Sequence, residues 1–248
     1  MSVDIGQAIE EGGRRTIARN GLYFVVIWWV LGVLNGLFGN TVARNVYDQF
    51  AGAMGPGGPP AGTPPMGPTL GLSAGVAGIL SLLVALVVVV VGAAALRTFV
   101  TDETETIPGE HFTHNLGWML VNLIVGGIVF AVVVGIGFVF LIIPGLFLLV
   151  SLFFWNVYVV VEDENFVDAF QDSWALTSGN RIMLFVLGVV VVIVVAVVGG
   201  IFGVANAALP GIVGLAIAQI GSAFTSVFAV AAAARTYLQL TEGEAAAA

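Results

Sequence analysis

Two histidines, His111 and His114, stand three positions apart beside Glu110, and they are the only imidazoles in the chain. Residues three apart on a helix share a face, so both rings could in principle approach one metal ion or one proton. A structural zinc site usually needs four protein ligands and a supporting outer shell, and this chain has no cysteine to contribute. The pair is therefore expected to be solvated, with no metal and no cofactor. Four carboxylates, Asp102, Glu110, Glu162 and Asp163, flank long apolar runs, where an enzyme acting on lipid headgroups would need them. They come without a nucleophile elbow, a phosphate-binding glycine loop followed by Lys, or paired carboxylates in an apolar pocket that the sequence identifies. The expectation is that the chain is not an enzyme and has no catalytic residue.

The elements that would carry these groups are apolar stretches of about twenty residues. The longest charge-free run covers the 47 positions from Asn115 to Val161. Hydrophobic residues make up 59% of the 248 positions and charged residues 9%, with a mean hydropathy of +1.07. A hydrocarbon slab of about 30 Å needs about 20 helical residues to cross it. Val-rich runs such as 87–91 and 189–195 favour strands in water, but an open strand in lipid leaves its backbone polar groups unpaired. The fold expected is all-α: a single polytopic membrane domain over 1–248, with about six transmembrane helices in three hairpins plus amphipathic interfacial helices. The spans fall at about 21–38, 72–96, 116–142, 146–161, 182–204 and 211–234.

The net charge is −8, from fifteen acids against seven arginines and no lysine. That balance argues against nucleic acid as a partner, and the missing cysteines exclude disulfides and thiolate chemistry. An acidic, lysine-free composition resembles that of proteins from extremely halophilic archaea. With six spans both termini share a side. Arg14, Arg15, Arg19, Arg97, Arg181 and Arg235 all fall on it and only Arg44 opposite, so the positive-inside rule makes that side cytoplasmic. The expected location is the cell membrane, multi-pass, with both termini in the cytoplasm. A cleaved signal peptide is the competing reading of the basic N-terminus. Against it stand Glu10 and Glu11, the length of the run from Gly21 to Phe38, and the lack of an A-x-A site.

Between the third and fourth spans, Pro144 and Gly145 leave room only for a tight helical hairpin. The sixteen residues from Leu146 to Val161 extend only about 24 Å, so this tip either reaches the outer surface or stops below it. Residues 40–70 form a Pro/Gly-rich external loop. Val42, Val46, Phe50 and Met54 in its first part either make a short helix on the outer leaflet or belong to a disordered collar. The segments 1–20 and 162–181 are expected to be cytoplasmic amphipathic elements, and 240–248 a cytoplasmic tail.

Two internal matches point to a repeated unit. Residues 5–25 align with 166–186 at an offset of 161, pairing Ala8 with Ala169, Thr16 with Thr177 and Phe24 with Phe185; residues 93–99 resemble 231–237. The competing explanation is compositional coincidence in a biased alphabet. Gly32 with Gly36, Gly71 with Gly75, and Gly199 with Gly203 form small-xxx-small pairs suited to close helix packing.

Within 162–181, Phe166, Phe170, Ser173, Trp174 and Thr177 share one helical face and Asp168, Gln171, Asp172 and Ala175 another. Such a helix suits the headgroup boundary, with Trp174 and Arg181 anchoring the next span. Arg97 and Arg235 join them as candidate interfacial or lipid-contact residues. Polar residues inside the spans include Asn35, Asn122, Asn156 and Gln219, the candidate intramembrane contacts. No ionisable group lies near a predicted midplane, which lowers the case for ion-coupled transport.

A Leu-Ile-Ile-Pro-Gly turn, an apolar span ending in Val-Val-Glu-Asp, and then Ala-Phe-Gln-Asp-Ser-Trp-Ala-Leu-Thr-Ser-Gly-Asn-Arg carry a resemblance over about 141–185. The pattern resembles uncharacterised haloarchaeal multispanning proteins related to the membrane domain found beside glycerophosphodiester phosphodiesterases. It implies a polytopic membrane fold; the catalytic barrel of those enzymes is absent here. The function expected is a non-catalytic scaffold or accessory subunit engaging the lipid bilayer, a protein partner or a second copy of itself. The alternative is a small transporter or permeation protein for an uncharged or amphiphilic solute.

Overall fold

In the computed structural model the described residues are 3–53, 67–101, 103–209 and 211–245, and among them there is no strand. Ten helices follow in order: α1 (Ile5–Ile17), α2 (Arg19–Ala53), α3 (Ala74–Phe99), α4 (Glu110–Thr113), α5 (Leu116–Phe140), α6 (Ile142–Ser151), α7 (Trp155–Val161), α8 (Phe166–Leu176), α9 (Arg181–Ala208) and α10 (Gly211–Ala245). Six segments are long and apolar enough to cross a membrane, with α6 and α7 together making the fourth. The protein is an all-α, multi-pass membrane protein. Its apolar surface supplies the physical reason: the most hydrophobic stretch of α9 is only 11% buried, and Leu82, Ile128, Val139, Val192 and Ile201 are all exposed. A helix that is hydrophobic all round and largely unburied needs lipid as its solvent.

The chain groups into two compact units. The first combines Met1–Phe24, Val90–Val194 and Val227–Ala248; the second combines Val25–Val89 and Val195–Ser226.

In the second unit, side-chain hydrogen bonds and close helix approach hold the spans. Trp29 Nε1 donates to the Ala216 carbonyl at 2.8 Å, and the Ser81 hydroxyl donates to Asn35 Oδ1 at 2.6 Å. A methyl on Gly32 would lie 2.6 Å from the Gln219 amide, and one on Gly36 2.9 Å from Leu215, so this small pair is used for close packing. The pairs Gly71–Gly75 and Gly199–Gly203 face open space instead. No proline lies between Asn40 and Ala53, and α2 runs through this stretch rather than ending near residue 38. Thr41 Oγ1 accepts from the Leu70 amide and Asn45 Nδ2 donates to the Leu72 carbonyl, tying the extension to the segment that leads into α3. Val42, Val46 and Phe50 thus sit on α2 itself; Met54 and most of the Pro/Gly-rich segment lie outside the described residues.

In the first unit, α1 begins at Asp4, whose carboxylate accepts from the Gln7 amide, and it buries Ala8, Gly12, Arg15 and Thr16. A methyl on Gly12 would meet the Ala232 backbone at 3.1 Å, so α1 and α10 touch nearly backbone to backbone. The α5–α6 hairpin closes as tightly: a methyl on Gly137 would lie 2.9 Å from Gly145. Its tip, from Val139 to Ile143, is highly exposed and wholly apolar. C-terminally, α10 continues to Ala245, so the expected tail from 240 is mostly helix.

Candidate functional site

Arg97, at the end of α3, is the hub of the first unit. Its guanidinium donates to the carbonyls of Val160 at 2.9 Å and of His111 and His114 at 3.1 Å each, and it approaches Asp163 at 3.8 Å. The residue is only 8% exposed. Nε and one Nη of this candidate interfacial or lipid-contact residue are committed to backbone carbonyls that would otherwise be unpaired at low dielectric, and the other Nη faces Asp163 without a hydrogen bond. Two residues in the left-handed region, Asn115 at φ +48° and Asp163 at φ +57°, shape the loops around it. Asn and Asp tolerate that conformation better than other side chains.

Both histidines belong to this hub rather than to solvent alone. Thr98 Oγ1 donates to the Ala94 carbonyl, so it receives the Nδ1–H of His111 at 2.9 Å. Burial first, and the Arg97 charge, push the His111 imidazole below its ordinary value against the opposing pull of Glu103 and Glu110. The ring is therefore neutral at pH 7. His114 Nε2 reaches Asp163 Oδ2 at 2.7 Å, and Asn115 donates to the other carboxylate oxygen at 3.2 Å. Burial raises Asp163, but these hydrogen bonds and the charges of His114 and Arg97 outweigh it and hold the carboxyl below its usual range. Arg97, Glu110, His111 and His114, together with Val100 and Val161, line a hollow of about 360 Å³. Among the described residues no cluster of three metal-ligating side chains occurs. Asp102, one of the four border carboxylates, lies outside the described residues.

A second arginine mirrors the first. Arg235 on α10 approaches Glu11 of α1 at 3.8 Å and donates to the Thr101 carbonyl at 3.3 Å, so it too is a cross-link rather than a lipid contact. Thr98 and Thr236, which follow the two arginines, are both fully buried and both donate to the carbonyl four residues back. At the offset of 161, Asp4 corresponds to Asn165, and both cap their helices: Asn165 Oδ1 accepts from the amides of Val167 and Asp168. Each arginine reaches across to the amphipathic element of the other half. Arg97 binds the loop leading to α8, and Arg235 binds α1. The arrangement is reciprocal.

The fourth span is broken at 152–154, and α8 repairs it. Ser173 Oγ donates to the Ser151 carbonyl and accepts from the Phe154 amide, both at 3.1 Å, and Thr177 Oγ1 reaches the same carbonyl at 3.2 Å. Irregular backbone at membrane depth survives only where protein satisfies it. Asn122, 4% exposed, does the same for the start of α8: its Oδ1 accepts from the Phe166 amide at 3.0 Å while its Nδ2 donates to the Trp118 carbonyl. Glu164 lies beside this cap, half-buried, with Oε2 shut from solvent. Burial, a hydrogen bond with Asp172 and the charges of Asp172, Asp168 and Glu162 push its carboxyl up to about 7.

Arg181 and Trp174, also candidate interfacial or lipid-contact residues, pack against each other. The Arg181 guanidinium lies 4.6 Å from the ring centres of both Phe147 and Trp174, all three at least partly exposed. Asn35 and Gln219 pack in the second unit as described, and Asn156 is exposed. Sequence reasoning missed Arg15 and Asn20, which are buried and both donate to the Glu103 carbonyl at 2.7 Å. Polar residues at the edge of an apolar run read as interfacial, and nothing local distinguishes one that turns inward.

A family model described as a domain of unknown function, DUF7847, matches residues 3–240. No curated protein and no solved structure matches the chain.

Proposed function

The chain belongs to the DUF7847 family over nearly all its length, and we propose that it works there as a non-catalytic integral membrane protein, a scaffold or accessory subunit with its termini in the cytoplasm. One observation carries this reading. In the first unit Arg15 and Arg97 turn inward and Arg235 is mostly covered, while Asp4, Glu10, Glu103, Glu105, Asp168 and Asp172 stay exposed. Three of the cations are used to tie elements together, which leaves Arg14 and Arg19 exposed among a larger number of carboxylates that face water. Such a face attracts a basic protein segment and repels anionic headgroups. The polar side chains within the spans support the same reading, because Asn35 and Asn122 are committed to hydrogen bonds inside the protein rather than left for a solute. The proposed relation to the membrane domain beside glycerophosphodiester phosphodiesterases rests on the 141–185 pattern and carries no phosphodiesterase activity with it.

Purification in a gentle detergent at low ionic strength tests the proposal. A stoichiometric protein partner or a homo-oligomer, released by salt and lost when Asp168 and Asp172 are both changed to Asn, is the expected result. Recovery of a bare monomer under all conditions counts against it. A second reading, permeation of an uncharged or amphiphilic solute, draws on the break at 152–154, since discontinuous spans recur in transporters. Saturable uptake into sealed proteoliposomes that vanishes in Asn122→Ala would put that reading first.

A further inference from the structure

Between α6, α9 and α10 of the first unit runs an apolar groove of about 440 Å³, walled by Leu146 and Leu149, by Leu184, Gly188 and Val192, and by Ala229. That size falls within the roughly 300–1,000 Å³ of small-molecule sites. An apolar cavity offers water no hydrogen-bond partners and stays dry, so in a bilayer its natural occupant is hydrocarbon. The groove has a charged edge. Arg181 stands one turn ahead of Leu184 on α9, and its guanidinium stacks on Phe147, the neighbour of Leu146 on α6. The cation therefore stands next to residues of two of its walls without lining the groove itself. Phe147 and Trp174 hold the guanidinium on either side, one Nη donates to the Trp174 carbonyl at 3.3 Å, and Nε is shut from solvent. A cation fixed beside an apolar trough matches a molecule with a phosphate at one end and an alkyl chain at the other.

We propose that this groove seats one acyl chain of an anionic phospholipid, with the lipid phosphate bound by Arg181. The site is independent of the acidic face and of any protein partner. Gly188 supplies the means to test it, because a side chain added there meets nothing within 4 Å and projects into the space the acyl chain would fill. The full-length protein in mild detergent is titrated with phosphatidylglycerol, phosphatidylcholine or inorganic phosphate. Bound lipid is counted by native mass spectrometry and stabilisation is read as the shift in Tm.

The expected result is one phosphatidylglycerol per chain and a Tm increase with it. Arg181→Gln weakens this lipid about tenfold and leaves phosphatidylcholine unchanged, Arg181→Lys recovers most of the loss, and Gly188→Leu abolishes retention of both lipids. Ala229→Leu, on the opposite wall, provides a second blocking variant should the first fail to fold. Phosphatidylglycerol retained undiminished by a folded blocking variant overturns the proposal. So does equal binding of the two lipids by the unaltered protein, or full stabilisation by inorganic phosphate alone. Loss of lipid with the partner of the acidic face still recovered, or the reverse, separates this site from the scaffold role.

Discussion

At the scale of single residues, Arg97 decides how the first unit holds together. Removing Arg97 takes the donor from three carbonyls, and each buried acceptor left unsatisfied costs about 1–3 kcal/mol. Arg97→Gln is therefore expected to lower the Tm in detergent steeply. Arg97→Lys should recover only part, because a point charge cannot serve three carbonyls set in a fork. Glu164 carries the pH dependence. Its folded-state value of about 7 lies above the ordinary 4.5, so folding favours the protonated form. That contribution is complete below about pH 4.5 and is lost as the pH rises through about 7. After solvent screening it amounts to less than about 1 kcal/mol. Thermal unfolding between pH 5 and 8 should show the decline, and Glu164→Gln should flatten it. Asp163, held below its usual range, loses its contribution only at lower pH and does not obscure the test.

At the scale of elements, the sequence made the spans readable because lipid forbids charge over twenty residues, a constraint visible without any contact information. What hydropathy misses is where a helix continues or breaks. The extension of α2 to Ala53 depends on Thr41 and Asn45 bonding residues nearly thirty positions away. The gap at 152–154 exists because Ser173 and Thr177 of α8 satisfy it. The amphipathic pattern of α8 was evident, yet its hydroxyls serve a neighbouring span, which the pattern does not show. Ser173→Ala removes a donor to one buried backbone group and an acceptor for another, and should cost about 1–3 kcal/mol. Hydrogen exchange read at residues 150–157 should show that break opening first, ahead of the middle of α5.

At the scale of the whole molecule, the positive-inside reading and the even number of spans predict where each end lies. The chain has no cysteine, so a single introduced thiol is the only target for a maleimide. In intact cells Asp48→Cys should react with a membrane-impermeant reagent and Gln239→Cys should react only after lysis; the opposite pattern inverts the topology. The candidate site was legible in part. Trp174 and Arg181 stand out as anchors, but the inward turn of Arg97 and Arg235 requires the long-range partners that a one-dimensional pattern cannot reveal. Those partners also set an order of events during synthesis. Asp4 and Gln239, which hydrogen-bond between the first helix and the last, are 235 residues apart. At about 5–20 residues per second, the newborn N-terminal helix waits roughly 10–50 s for its seat to emerge from the ribosome. Until then its apolar stripe has only the bilayer surface to rest on, and a chain released early would leave that stripe uncovered for quality-control proteases to find.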